Sequence, residues 1–585
     1  MKNMLSFDMQ NWNTWSDDGT EFDYQITNDN SCVYIKSNKS FFSVVSHRIE
    51  LADDAMYEFS ADVLIEDGED AKAYLSVTLK DAAGNWKGHC DTPVVTKKGE
   101  WVHISKRIFG VIQPNINFSI YLRGSNASAK FKNLTLCEFN GLNYASNEVI
   151  EKELSATDIP NKNTLMGFGA EVDPEFFEPF NRSFMEDPEA EFAFLKERMR
   201  EVNFPFARVM LLPTDYEREK GNINLDGERC QGLIKQLNAF EELGVHVVLT
   251  WWCVPRKEMP WLAFPAEHPW CSPPTDSEYA AESLATFLEM LLDKYHYTCI
   301  KDIILINEPN EAYITDKGID FEHYAGFCRN FDAALKRHNL REKFSIIGSD
   351  DTSSYEWYKN CVEKLDDVFD GYDSHVYRWN IYDEKIDTEI QEFVNDRVKL
   401  TDKRFFIGEF GSETACSKQE SAQPHKGLFA AALAINTTKA GSSGISYWTL
   451  FEVYYGKALM GMGLWKSFTE GWAMKPAALV WRMLSKYTSK GDKIYPIEND
   501  GMIDAVAFVS ENNETTVAVL NRSFNTVDLT LSNIKFNSKP YGLVYDKNNV
   551  KPDQYYPDDF NIEYKEKLSC VMKPESFVII TDRNK

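Results

Sequence analysis

The sequence predicts an α/β protein built around a (β/α)8 barrel, with a β-sandwich before the barrel and a smaller one after it. Three observations lead to this prediction. Short alternating runs fill residues 1–142, eight apolar runs alternate with amphipathic stretches in residues 143–488, and alternation returns in residues 489–585. Strands that alternate with helices at this spacing are typical of a parallel barrel.

The first 142 residues contain short runs in which apolar and polar residues alternate. Examples are SCVYIKS, YEFSADVLI, AYLSVTL and NFSIYLRG, with turn signals such as DDG and AAGN between them. Runs of this length and period, separated by Gly, Asn and Asp, predict an antiparallel β-sandwich.

The central part carries eight predicted strands, each followed by a helical pattern such as RCQGLIKQLNAFEELG. The strands are expected at 165–172, 206–212, 246–252, 302–308, 344–350, 372–377, 404–410 and 444–451. The alternative is a doubly wound parallel sheet, but no glycine-rich phosphate fingerprint follows the first strand.

The last part alternates again in AVAFVS, TTVAVLN, VDLTLS and SFVIITD, which predicts the second β-sandwich. The segment 149–158, which precedes the barrel, is expected to supply a strand to this second sandwich.

The bulk composition excludes several classes of partner. The net charge is −27, and no Lys/Arg-rich run is present, which argues against nucleic acids and anionic membranes as partners. The 11 cysteines are scattered without metal-ligand spacing, so we expect free thiols and no metal or other cofactor. The absence of an apolar leader predicts a cytoplasmic protein, although a trimmed secreted chain would look the same. Homo-oligomerisation stays open.

Two predicted barrel strands end in a glutamate. IILINEPNEAY places Glu308 after the fourth strand, and RFFIGEF places Glu409 at the end of the seventh. Because active sites of such barrels lie at the C-terminal ends of the strands, both carboxylates are expected to face one site. A facing pair is what glycoside hydrolysis requires, with one group as acid and the other as nucleophile or base. Two solvated surface acids are the alternative.

The Asn-Glu-Pro after the fourth strand and the later IGEFG resemble the retaining (β/α)8 glycoside hydrolases of clan A. This resemblance implies that Glu308 is the acid/base, that Glu409 is the nucleophile, and that Asn307 binds the sugar 2-hydroxyl. The tail from SYWTLFEVYY to MKPAALVWRMLSKY loosely resembles the β-xylosidase and α-L-iduronidase family, and GFGAEVD the glucosylceramidase-like members.

Other strand ends fit the same clan. The resemblance implies that Arg208 supports the nucleophile, that His375 and Tyr377 form the clan's His-x-Tyr, and that Trp448 forms the floor of a sugar subsite. Each could instead be ordinary barrel packing. Two further predictions are made for the strand ends: one ring of Trp251 and Trp252 stacks on a sugar face, and Glu171 binds a sugar hydroxyl.

The N-terminal domain resembles a carbohydrate-binding module of the jelly-roll type, on NWNTWSDDG, GEWVHISKRI and FKNLTLCEF. Its candidate stacking rings are Trp12, Trp15, Trp86 and Trp101, of which Trp101 is expected in the core.

The leading hypothesis is a retaining glycosidase that cleaves β-linked (equatorial) glycosides from the ends of oligosaccharides. An endo-acting enzyme on a polysaccharide is the alternative within the clan. A non-catalytic carbohydrate-binding protein and a metal-dependent barrel that abstracts protons are alternatives of other classes.

Overall fold

The computed structural model forms two compact units. It describes residues 3–584 except 20, 28, 39–41, 50, 52–55, 81–85, 110–115, 140–147, 173, 265–271, 314–317, 384, 412–420, 457 and 552. The first unit comprises Met1–Ser146, Arg378–Ile386 and Ser412–Ser421, and the second Asn147–Tyr377, Asp387–Gly411 and Ala422–Lys585.

The first unit contains the predicted N-terminal β-sandwich. Its strands are β1 Trp12–Ser16, β2 Asp23–Thr27, β3 Cys32–Lys36, β4 Phe42–Ile49, β5 Met56–Asp67, β6 Lys72–Lys80, β7 Trp86–Asp91, β8 Val102–Phe109, β9 Ile116–Arg123 and β10 Ser128–Glu138. They form two antiparallel five-stranded sheets, ordered β1-β4-β9-β6-β7 and β2-β3-β10-β5-β8. Alternate residues of both sheets, such as Phe59, Phe118 and Phe131, form one core between them.

The candidate stacking rings of this unit separate into buried and exposed ones. Trp12 is buried, with its Nε1 donating to the carbonyl of Ser6, whereas Trp15 is exposed. Trp101 is 43% exposed and lies under the ammonium of Lys132, so the expectation that it belongs to the core is wrong. The inward positions of β8 are Ile104 and Ile108, and Trp101 precedes the strand. The side chain of Trp86 lies outside the described part of the structure.

The second unit begins with β11 Ile150–Ser155 and continues into the predicted barrel, which is confirmed. The barrel strands are β12 Gly167–Glu171, β13 Phe206–Leu211, β14 His246–Trp251, β15 Ile300–Leu305, β16 Ser345–Asp351, β17 Gly371–Val376, β18 Arg404–Phe410 and β19 Gly444–Tyr447. They are all parallel and close on themselves in chain order. Apolar side chains from several of these strands, including Phe206, Ile304 and Phe406, form a buried cluster inside the barrel.

Helices follow the barrel strands. They are α1 Pro179–Arg182, α2 Pro188–Glu201, α3 Pro213–Tyr216, α4 Glu228–Leu243, α5 Ser277–Tyr295, α6 Pro309–Ala312, α7 Phe321–Arg337, α8 Tyr355–Leu365, α9 Ile386–Val398, α10 His425–Lys439 and α11 Pro476–Tyr487. None of the helices in the described ranges is long and apolar enough to cross a lipid bilayer.

The remaining strands of the second unit form a second β-sandwich, as predicted. After a short hairpin, β20 Tyr454–Tyr455 and β21 Ala458–Leu459, they are β22 Lys493–Pro496, β23 Ile503–Val509, β24 Thr515–Asn521, β25 Val527–Ser532, β26 Tyr541–Asp546, β27 Asp558–Phe560, β28 Glu563–Tyr564, β29 Leu568–Met572 and β30 Ser576–Thr581. One sheet has the order β22-β23-β24-β30-β26-β27 and the other β11-β25-β29-β28. The strand before the barrel, β11, pairs in parallel with β25. Leu154 of β11 therefore lies in the same core as Leu529 and Val519.

Candidate active site

Glu308 lies beyond the end of a barrel strand in an unusual backbone conformation. β15 ends at Leu305, three residues earlier than the predicted strand, and Ile306 and Glu308 have φ values of 66° and 51°. Residues other than glycine rarely adopt positive φ values, and those that do are concentrated at functional sites. Pro309 opens α6 at the position where its fixed φ suits a helix start. The backbone turns at Glu308, and the side chain of Glu308 is 25% exposed.

Arg208 of β13 connects the ends of several strands. It is fully buried, and its Nη1 donates to Glu409 Oε1 at 2.6 Å and to Glu171 Oε2 at 2.9 Å. Nη2 donates to Asn307 Oδ1 at 2.9 Å and to both oxygens of Asp350 at 3.0 and 3.1 Å. Burial alone lowers the pKa of Arg208, but these carboxylates hold it well above its usual range. The guanidinium is therefore a fixed positive charge at the centre of a cluster of polar side chains, namely Glu171, Asn307, Asp350 and Glu409.

Glu409, on β18, has a hydrogen-bond donor on each carboxylate oxygen. Arg208 donates to Oε1, and the hydroxyl of Tyr377 donates to Oε2 at 2.9 Å. Burial raises the pKa of Glu409, while His375 and Arg208 act in the opposite direction. Burial, together with Glu409, also raises the pKa of Tyr377, which keeps this hydroxyl a proton donor. The two donors fix the plane of the carboxylate and stabilise its ionised form.

His375 of β17 bridges two carboxylates. Its Nδ1 lies 2.9 Å from Glu308 Oε1, and its Nε2 lies 3.0 Å from Asp350 Oδ1. The Nδ1 atom is also 3.6 Å from Glu409 Oε2. Burial lowers the pKa of His375, but Glu409 and Asp350 raise it well above its ordinary value. The imidazole is therefore placed to donate from both nitrogens.

The sequence did not single out Asp350, the last residue but one of the fifth barrel strand, β16. Its carboxylate contacts Arg208, His375 and the backbone N–H of Glu308, the last at 3.2 Å. The backbone N–H of Asp350 in turn donates to Asp373 Oδ1 at 2.9 Å. Its position at the C-terminal end of a barrel strand, shared with Glu409, is the signal that could have identified it.

The two glutamates face one another. A side-chain oxygen of Glu308, a side-chain oxygen of Glu409 and a ring nitrogen of His375 lie within 4.8 Å of one another. A metal ion could also use such a spacing, but Glu409 already binds the guanidinium of Arg208, and a second cation there would be repelled. The hydrogen-bond donors around the two carboxylates, Arg208, Tyr377 and His375, suit a pair of groups that exchange protons with a ligand.

The structure separates the remaining candidate residues into those inside the cluster and those outside it. Trp251 is buried, with its Nε1 donating to the hydroxyl of Tyr216 at 3.1 Å and its ring against Phe327. Trp252, the other ring of the pair, retains exposed surface, and its carbonyl accepts from the N–H of Asn307. Trp251 therefore lies apart from the glutamates, and Trp252 is the ring of the predicted pair that keeps exposed surface.

The surroundings of Glu171 and Trp448 also differ in part from those predicted. Glu171 is fully buried and bound to Arg208, so its role in the cluster is to pair with the guanidinium rather than to face a hydroxyl. Trp448 directly follows β19, which ends at Tyr447 and so is four residues shorter than predicted. Its ring is 9% exposed, and its backbone N–H donates to the carbonyl of Phe410 on the neighbouring strand.

Comparisons with known proteins find likeness in the fold. No protein-family model matches the sequence, and no curated protein matches it. Among solved structures, the catalytic domain of the GH30 xylanase C from Talaromyces cellulolyticus is 13% identical, with 74% of this chain and 100% of that chain covered and a TM-score of 0.56. An endo-β-1,6-glucanase is 14% identical, with coverages of 77% and 97% and a TM-score of 0.54. The family 51 α-L-arabinofuranosidase AbfB from Bifidobacterium longum is 12% identical, with coverages of 74% and 99% and a TM-score of 0.53.

These likenesses define the class of fold. The chain has the barrel fold that these three glycoside hydrolases share, as the sequence predicted. At such low identities the likeness shows the fold alone, and the three proteins act on different glycosides. The chemistry of this chain therefore has to be argued from its own residues.

Proposed function

We propose that this protein is a retaining glycoside hydrolase that cleaves β-linked glycosides by double displacement. The observation that carries the proposal is the pair Glu308 and Glu409 at the mouth of the barrel, where one carboxylate oxygen of Glu308 lies within 4.8 Å of one of Glu409. Retaining enzymes hold their two carboxyl groups about 5–5.5 Å apart, whereas inverting enzymes leave room for a water at roughly 6.5–9.5 Å. The spacing supports direct attack by one of the carboxylates.

The contacts support a separate role for each glutamate. Glu409, held by Arg208 and Tyr377, attacks the anomeric carbon, while the more exposed Glu308 protonates the departing oxygen. Glu308 then takes a proton from the water that releases the sugar. The Oδ1 of Asn307 accepts from Arg208, so its amide nitrogen is the atom left to donate to a sugar hydroxyl. Trp252 is the ring of its pair with surface available for stacking.

Three alternatives remain to be separated by experiment. Exo action on oligosaccharides stays a prediction from the sequence, and endo action on a polysaccharide is its competitor. Product analysis distinguishes them, since an exo enzyme releases one small product from the first turnover. A metal-dependent reaction requires loss of activity after extensive dialysis against a chelator, whereas the proposed mechanism requires none. A non-catalytic sugar-binding protein would bind glycosides and release nothing.

The direct test is covalent trapping. The protein is incubated with a panel of activated 2-deoxy-2-fluoro β-glycosides, and its intact mass and peptide map are measured. Because the fluorine slows release of the glycosyl-enzyme more than its formation, we expect a single adduct on Glu409 with the sugar that the site accepts. An adduct on another residue would overturn the role of Glu409.

A matched pair of variants separates the two roles. Glu308→Ala should still cleave substrates with a good leaving group, and azide should restore its turnover and give a β-glycosyl azide, because azide needs no general base. Glu409→Ala should show neither adduct nor turnover with these substrates. Full turnover by either variant on an unactivated oligosaccharide would contradict the proposal.

A further inference from the structure

Asp350 makes more contacts within the cluster than the proposed reaction requires of it. It is fully buried at the end of β16, and both of its oxygens accept from Arg208 Nη2. Oδ1 also lies 3.0 Å from His375 Nε2, and Oδ2 accepts from the backbone N–H of Glu308. Through Arg208 it reaches Glu409, and through His375 it reaches Glu308. One side chain thus connects both members of the glutamate pair.

The contacts fix the protonation of His375 at one nitrogen. Burial alone raises the pKa of Asp350, but Arg208 and His375 hold it below its ordinary value, so this carboxylate is ionised. An ionised carboxylate can only accept hydrogen bonds. The Nε2 atom of His375 must therefore carry a hydrogen, and Nδ1 is the atom presented to Glu308.

We propose that Asp350 is a positioning residue that keeps His375 in its doubly protonated form and so makes it a hydrogen-bond donor to Glu308. This proposal rests on the proposed function. The buried imidazolium is compensated by Glu409, whose Oε2 lies 3.6 Å from Nδ1, and by Asp350, which alone of the two accepts from Nε2. The Nδ1–H of His375 donates to Glu308 Oε1 at 2.9 Å. Asp350 therefore acts on the reaction through His375 and does not itself touch the substrate.

The consequence for the chemical step follows from the atoms involved. In the first half of the reaction the proton on Glu308 Oε2 passes to the glycosidic oxygen, the C–O bond breaks, and Glu308 becomes a carboxylate. The His375 Nδ1–H, already directed at Oε1, stabilises the charge that forms there. In the second half Glu308 recovers a proton from water, and the imidazolium keeps its own proton throughout. No further reactant is needed.

Asp373 provides a matched control for Asp350. Its Oδ1 accepts from the backbone N–H of Asp350, and both side chains are fully buried. Burial and the adjacent Asp350 raise the pKa of Asp373 well above its ordinary value, which favours the neutral form of this carboxyl. Asp350→Asn therefore removes a charge, while Asp373→Asn changes the same chemical group in the same buried region without removing one.

The first measurement is the protonation of His375. The full chain is labelled with ¹⁵N-histidine, and the imidazole signals are recorded at pH 7, with His375 assigned by its loss in His375→Gln. We expect both ring nitrogens to carry protons in the wild type and in Asp373→Asn, and a neutral ring in Asp350→Asn. A neutral His375 in the wild type, or an unchanged imidazolium in Asp350→Asn, would overturn the proposal.

The second measurement is the dependence on the leaving group. With Asp350→Asn, kcat/KM for an alkyl glycoside should fall roughly 100-fold, and at least about tenfold more than for a dinitrophenyl glycoside, which needs little acid assistance. Equal losses on both substrates would contradict the proposal, because misplacement of Glu409 alone would affect them alike. If the wild type hydrolyses glycosides but His375 is neutral, only the role of Asp350 fails. If His375 behaves as expected without hydrolysis, only the proposed function fails.

Discussion

At the scale of single residues, Glu409 occupies an environment that opposes its ionisation. Burial raises its pKa, and Arg208 and His375 offset this only in part. A nucleophile must be ionised. In the pH profile of kcat/KM, the midpoint of the acidic limb should therefore lie above pH 4.5, the ordinary pKa of a glutamate. Because the pKa is raised, Glu409 stays protonated to a higher pH, and activity should be lost at a higher pH than for an ordinary glutamate. A limb at or below 4.5, with the enzyme shown to be stable there, would contradict this.

Tyr377 offers a second prediction at this scale. Its hydroxyl donates to Glu409 Oε2 at 2.9 Å and contributes one of the two donors that hold this carboxylate. A hydrogen bond to a charged group contributes about 1.5–3 kcal/mol, so Tyr377→Phe should lower kcat about 10- to 100-fold. The melting temperature should change little. Unchanged kcat would mean that Arg208 alone is enough to orient the nucleophile.

At the scale of secondary structure elements, Gly169 of β12 has no room for a side chain beside Phe206 of β13. A Cβ on Gly169 of β12 would lie 2.4 Å from the carbonyl oxygen of Phe206 and 2.7 Å from its ring. Gly169→Ala should therefore lower the free energy of unfolding by about 1–3 kcal/mol, as overpacking does elsewhere. Denaturant titration measures this difference.

Gly326 in α7 is the matched control for this substitution. A Cβ there meets no atom within 4 Å, and the position is helical. Gly326→Ala should raise the free energy of unfolding by about 0.5–1 kcal/mol because alanine loses less conformational entropy in a helix. Destabilisation by both substitutions to the same extent would show that the close approach of β12 and β13 is not the cause.

The types and order of the barrel elements could be predicted from local pattern, whereas some of their ends could not. β18 has the predicted bounds, Arg404–Phe410, because its apolar run and its core positions coincide. β15 and β19 end three and four residues early, at Leu305 and Tyr447. In both places apolar residues continue past the last strand pairing, so hydrophobicity alone does not mark the point at which the backbone turns.

At the scale of the whole molecule, the barrel and the C-terminal sandwich form one compact unit. The strand β11 precedes the barrel yet pairs with β25, and Thr516 Oγ1 of β24 donates to the carbonyl of Tyr487 at the end of α11. Arg583 also binds Asp492 at 2.6 Å. We therefore expect the barrel to be stabilised by residues near the end of the chain.

Deletion of residues 490–585 tests this dependence. The deletion leaves β11 without its partner and exposes core residues such as Leu154 and the face of α11, so we expect an aggregated or molten product without near-ultraviolet circular dichroism. The full chain measured under the same conditions is the control. A soluble truncated protein with cooperative unfolding would show that the barrel folds independently.

The sequence by itself determined which side chains stand at the ends of the barrel strands, including Glu308 and Glu409. Apolar runs that end in Asn-Glu-Pro or in Glu-Phe-Gly are local signals, and strand geometry carries them to one face. Only the tertiary structure decided which of these groups bind one another. Arg208 reaches Glu409 across 201 residues of chain because the barrel closes. Asp350 contacts His375 because the paired strands β16 and β17 end side by side. Such contacts depend on distances that no local sequence pattern specifies. For this reason only the structure showed that Asp350 belongs to the site and that Trp251 is buried away from it.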